Sequence, residues 1–134
     1  MKSGYGQIFL TKGGFFEGMF WENKKNGFGC LRKPNGESHE GTFINNKLSG
    51  KGIKISKLET YKGSFKRGLY HGLGKLKYKD GRKYYGFFDN GLKHGVAKWT
   101  TSAGKIRYEL WKEDEMLKEI SQAEFEKKIS KELK

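Results

Sequence analysis

The 134-residue chain contains one cysteine, one proline and no long apolar run. A single thiol, Cys30, cannot close an intramolecular disulfide, which excludes a disulfide-stapled scaffold and leaves Cys30 as an ordinary strand residue with no base assignable to it. The opening residues lack the apolar stretch that a signal peptide or membrane span needs, so an intracellular, cytoplasmic setting is expected. Histidine is scarce too. His39, His71 and His94 together with Cys30 fit no zinc-ligand spacing. The carboxylates of residues 1–108 are Glu17, Glu22, Glu37, Glu40, Glu59, Asp80 and Asp89, and they form no acid–base pair in the sequence pattern. No Gly-Lys-Ser/Thr ending turns the glycines into a phosphate loop. Neither catalytic residues nor a cofactor or metal is expected, and the chain does not read as an enzyme.

What is abundant is glycine, at 20 positions, and aromatic residues, at 15%. Disordered chains are poor in rings, so this mixture predicts order built from glycine and aromatic side chains. The net charge of +13 is unevenly spread. Residues 1–108 carry 22 basic and 7 acidic groups, a balance of +15, whereas residues 109–134 carry 6 and 8, a balance of −2. A basic body suited to an acidic partner is followed by a charge-balanced tail.

The glycines are periodic. Tyr61-x-Gly63-x-Phe65 followed by Gly68, Gly72, Gly74 and Gly81 returns 23 residues later as Tyr84-x-Gly86-x-Phe88 followed by Gly91, Gly95, Ala97 and Gly104. Two earlier copies begin at Phe16 and His39, the second one residue shorter and without a turn glycine near Leu58-Glu59. Its apolar residues Ile53 and Ile55 are one position out of phase with Leu31, Leu76 and Trp99, which predicts a local bulge or altered turn. Half-repeats flank the four copies. The resulting division is a repeat array over 1–111, with a half-repeat 1–15, repeats 16–38, 39–60, 61–83 and 84–106, a half-repeat over 107–120, and a separate tail over 121–134.

In a strand, residues i, i+2 and i+4 share a face, so Tyr61, Gly63 and Phe65 present two rings with a gap between them. A neighbouring ring can lie over the glycine backbone, and adjacent rings add about 0.5–1.5 kcal/mol per pair. Asn23, Asn46, Gly68 and Gly91 recur where positive φ is needed, while Pro34-Asn35-Gly36, Asp80-Gly81 and Ser102-Ala103-Gly104 supply the other reversals. Each copy therefore predicts a β-hairpin, and the hairpins an all-β, elongated, single-layer antiparallel sheet of roughly ten strands.

Tyr-x-Gly-x-Phe-x-x-Gly-x-x-x-Gly-x-Gly at this spacing, over residues 4–111, resembles the membrane occupation and recognition nexus (MORN) repeat. The resemblance implies an elongated, twisted sheet module of the sort found in ciliary and cytoskeletal scaffolds and membrane-junction proteins. His39 in place of the aromatic, and Ala97 in place of the second glycine, depart from the pattern.

Ser121-Gln122-Ala123-Glu124 matches a capping box and predicts a helix over about 122–133, with Phe125, Ile129 and Leu133 as a docking stripe. That helix is expected to cap the open end of the sheet or lie across its aromatic face, the alternative being that it inserts into a partner. At about 18 Å it cannot cover a sheet of about 45 Å, so Phe16, Phe20, Phe43, Tyr61, Phe65, Tyr84, Phe88 and Trp111 form the expected partner-binding face, suited to a helix, an extended peptide or a second copy. Lys24, Lys25, Lys47, Lys66, Arg67 and Lys93 lie in or beside one hairpin loop of successive copies and form the expected edge for an acidic protein or anionic phospholipid. Nucleic acid is the lesser alternative, because the rings are committed to repeat packing.

Overall fold

The computed structural model describes residues 3–133. Eleven strands form one antiparallel sheet in sequence order: β1 (Gly4–Phe9), β2 (Phe15–Trp21), β3 (Lys24–Arg32), β4 (Ser38–Ile44), β5 (Lys47–Ile55), β6 (Glu59–Lys66), β7 (Leu69–Tyr78), β8 (Lys83–Asp89), β9 (Leu92–Thr100), β10 (Ile106–Lys112) and β11 (Glu115–Glu119). A helix, α1 (Gln122–Glu132), follows. The segment over 107–120 departs from its expected half-repeat: it makes a complete hairpin whose turn, Glu113-Asp114, adopts positive φ of 49° and 68° without any glycine.

All five tight turns lie on one long edge and share this left-handed geometry, at Glu22-Asn23, Asn45-Asn46, Arg67-Gly68, Asn90-Gly91 and Glu113-Asp114. They are also stitched together. The amides of Asn46, Gly68, Gly91 and Asp114 donate to the carbonyls of Lys25, Leu48, Tyr70 and Lys93, each in the preceding hairpin, at 2.7–3.0 Å. Side chains add to the seam, since Asn26 Oδ1 accepts from the Asn45 amide and His71 Nδ1 from the Asn90 amide. His71 and His94 hold equivalent places in β7 and β9, but only His71 joins the seam, since the buried His94 Nδ1 has no hydrogen-bond partner among the described residues.

A bulge occurs in every repeat, whereas the sequence pointed to one only in the second. Gly63 pairs with Gly74 and Phe65 with Tyr70, so three residues of β7 face the single Ser64 of β6. Gly72, in the middle of the three, takes φ 88°, which a side chain would strain. The same interruption falls at Gly18/Phe20, Gly41/Phe43 and Gly86/Phe88. In the last two repeats the opening tyrosine uses the bulge, as Tyr61 donates to the Ser64 carbonyl and Tyr84 to the Phe87 carbonyl, both at 2.7 Å. The second repeat reverses differently, with Ser56 bonded to Glu59 through amide, carbonyl and hydroxyl.

Candidate functional site

The repeat pattern assigns one face of the sheet, here called the ring face, to Phe16, Phe20, Phe43, Tyr61, Phe65, Tyr84 and Phe88. The structure corrects the expectation that these rings await a partner. They are the core: Phe16, Tyr61 and Tyr84 are 0% exposed and the other four are at most 4% exposed. The rings seal themselves by lying over paired glycines. A β-carbon on Gly63 would fall 2.5 Å from the Gly74 Cα and 2.9 Å from the Tyr61 hydroxyl. Phe16 meets Phe43 edge-on at 5.2 Å, and Tyr61 stacks on Tyr70 at 3.8 Å while meeting Phe88 edge-on at 5.4 Å. Trp111 is half-buried beside Tyr84. Burial pushes the Tyr61 and Tyr84 hydroxyls well above their ordinary pKa.

Two lysines expected at the basic edge instead help to close this face. The Lys25 ammonium sits 5.1 Å over Phe16, where burial lowers its pKa, and Lys93 sits 5.3 Å over Trp111. Lys24, Lys47, Lys66 and Arg67 remain exposed on the turn edge. They alternate with apolar partners across the hairpins: Trp21 faces Lys24, Ile44 faces Lys47, and Leu69 faces Lys66. The departure at His39 leaves a hollow of about 260 Å³ in the ring face, lined by His39, Lys54 and Leu31 among others. There His39 bonds Glu37 at 2.6 Å, holding that carboxyl below its ordinary pKa; burial outweighs Glu37 and lowers the imidazole as well.

The opposite face is where the sheet meets other elements. Helix α1 docks here, not on the ring face or the sheet end, because Phe125 and Ile129 pack with Val96 and against Leu73, Tyr85, Phe87, Tyr108 and Leu110. Phe125 lies 5.2 Å from the Tyr108 ring and 6.0 Å from Tyr85. Ser121 Oγ accepts from the Glu124 amide at 3.0 Å and fixes the helix start. Leu133, the expected third member of the stripe, is 67% exposed at the C-cap.

Beyond α1 this face is bare. A groove of about 430 Å³ crosses β3 to β8, floored by the backbone of Gly41, Gly52, Gly63 and Gly74 and lined by Phe28, Ile53, Leu73 and Tyr85, with Leu133 at its rim. Lys51, Lys62 and Lys75 line it as well, with Glu40. Farther along, Tyr5, Trp21 and Phe28 are 63%, 62% and 62% exposed. The groove was missed from the sequence, although the out-of-phase Ile53 and Lys62, which stands where the other repeats carry Glu17, Glu40 and Tyr85, were its signals. Cys30 lies on this face too, opposite Glu17 and Glu40, and burial raises its thiol pKa. Among the described residues no group of three His, Cys, Asp or Glu side chains could hold a metal ion, and no helix is long and apolar enough to cross a membrane.

An open antiparallel sheet built of stacked hairpins, with its rings turned inward over glycines, defines a β-hairpin repeat module. The MORN repeat profile matches residues 16–38, 39–57, 61–81 and 84–105, and the chain belongs to the MORN-repeat family. No curated protein matches the chain.

Proposed function

We propose that this chain is a non-catalytic scaffold that holds another protein against the face opposite the rings, within a larger assembly of ciliary or cytoskeletal type. Membership of the MORN family, whose repeats mediate protein or membrane-lipid interactions, supports an interaction role. The single observation that carries the protein-binding reading is the unequal cover of one face. Over β8–β10 its apolar residues are buried by α1, while Tyr5, Trp21 and Phe28 on the preceding strands stand in water. The assembly's setting rests on family resemblance. The test is affinity purification from the native cell with wild-type protein and Phe28→Asp. The expected result is a protein partner recovered by the wild type and lost by a variant with an unchanged melt; equal recovery by both would contradict it.

A second reading has its own observation. Trp21, Ile44 and Leu69 alternate with Lys24, Lys47, Lys66 and Arg67 along the turn edge, a mixture suited to an anionic phospholipid surface. Sedimentation with phosphoinositide vesicles at low salt tests it. Binding that Lys24→Glu, Lys66→Glu and Arg67→Glu together abolish supports lipid as a target, and wild-type protein that ignores such vesicles removes it.

A further inference from the structure

From the groove beside α1 we infer a docking site for an acidic amphipathic helix of a partner protein. The inference rests on the scaffold reading and names the chemistry of the partner.

Three observations converge. The first is continuity: α1 already lies across the strands of this face through an i,i+4 apolar pair, Phe125 and Ile129, and its last turn delivers Leu133 to the groove rim. The groove therefore prolongs a surface on which a helix is seated. Four strands, β4 to β7, span about 15 Å at sheet spacing, the length of a helix of about ten residues.

The second is charge. Lys62 and Lys75 face each other directly across β6 and β7, and one step along the strand Lys77 and Lys83 do the same across β7 and β8. Like charges placed directly opposite destabilise a sheet. Among the described residues none of the four makes an ion pair with a carboxylate. An acidic ligand removes that cost, which a basic or neutral one cannot do. The third is the apolar strip between the ammonium groups. Ile53, on the same cross-strand row as Lys62, and Leu73 and Tyr85 on the next strands, offer a seat for residues spaced i, i+4, i+7. The Lys75 ammonium rests 5.1 Å over the Tyr85 ring, which places a cation directly beside the apolar strip.

The test uses the full chain and a fluorescent synthetic peptide of about 14 residues, with leucines at i, i+4 and i+7 and glutamates flanking them. Controls are a scramble of the same composition and a peptide with lysines for the glutamates. Fluorescence anisotropy is expected to show binding of the acidic helix alone, weakened by salt, and weakened about tenfold or more by Lys62→Glu with Lys75→Glu. Lys24→Glu with Lys66→Glu, on the turn edge, is expected to leave binding unchanged. Both pairs of sites are exposed, so folding of the variants is checked by their melts. No binding, equal binding of the scramble, or loss through the turn-edge pair would overturn the inference. Displacement of the peptide by phosphatidylserine vesicles, or a dimer dissolved by the groove substitutions, would overturn it in favour of lipid or a second copy. If the peptide fails while Phe28→Asp still loses its cellular partner, the scaffold reading stands and only the helix site falls.

Discussion

The two faces of the sheet use the period in opposite ways. On the ring face, Phe16, His39, Tyr61 and Tyr84 occupy one repeat position and Phe20, Phe43, Phe65 and Phe88 another, so the chemistry recurs with a single exception. On the opposite face the equivalent positions read Glu17, Glu40, Lys62 and Tyr85 in one row, and Phe28, Lys51, Leu73 and Val96 in another. A shared requirement, ring over glycine, dictates the first face. The second is free to differ from repeat to repeat, and its differences sort into an exposed apolar end, a cationic centre and an end covered by α1.

The largest effect is expected on the recurring face. Gly63→Val drives a side chain into the Gly74 backbone and the Tyr61 ring, with no flexible neighbour to yield, and should cost several kcal/mol or abolish folding. Gly36→Ala meets nothing within 4 Å and is strained only by its φ of 89°, an effect of about 1 kcal/mol. Thermal unfolding ranks the two, and equal melts would break the distinction between a packing glycine and a turn glycine.

On the other face, Phe125→Ala should cost about 3 kcal/mol, because its side chain is 5% exposed between two tyrosines, while Leu133→Ala should cost almost nothing. Similar melts for the two would mean that α1 is not held as described. Tyr61→Phe is smaller still. It removes the hydroxyl bonded to the Ser64 carbonyl and leaves the ring, so about 1 kcal/mol is expected, measured by chemical denaturation. The reciprocal Phe16→Tyr would sharpen the comparison if it stabilised the first repeat.

The smallest expected effect is a pH dependence confined to the His39 hollow. Both shifts there are depressions: His39 lies below its ordinary 6.5 and Glu37 below its ordinary 4.5. Each contribution to stability is therefore complete above the ordinary value and is lost as pH falls through the depressed one. The melt should decline on acidification first through the histidine and then through the carboxylate. His39→Phe should remove the histidine part, and a variant that declined as steeply between pH 7 and 5 would contradict this assignment.

The repeat family, the hairpins, the left-handed turns and the helix start were legible because each rests on local chemistry at fixed spacing. Positive φ selects Asn23, Asn46, Gly68 and Gly91, and Ser121 with Glu124 marks a helix end. The fifth hairpin escaped notice because Glu113-Asp114 makes the same turn without a glycine. The fate of the rings was misjudged for a different reason. A single layer was expected to leave them open, whereas the bulge in every repeat and the ring-over-glycine contact let neighbouring rings and the ammonium groups of Lys25 and Lys93 close the face. Which face α1 would choose is a tertiary property. It depends on Val96, Tyr85 and Tyr108 sharing the side opposite the rings, and becomes visible only once the strand register is known.

The central claim is that the rings form the core and the opposite face does the binding. Hydroxyl-radical footprinting of the protein alone and with its purified partner tests that claim most directly. Alone, Tyr5, Trp21 and Phe28 should be oxidised rapidly while Phe16, Phe65 and Phe88 resist; with the partner bound, Phe28 should become protected and the core rings should remain unchanged. Rapid oxidation of Phe16, Phe65 and Phe88 in the free protein, followed by their protection in the complex, would place the partner on the ring face and contradict the account.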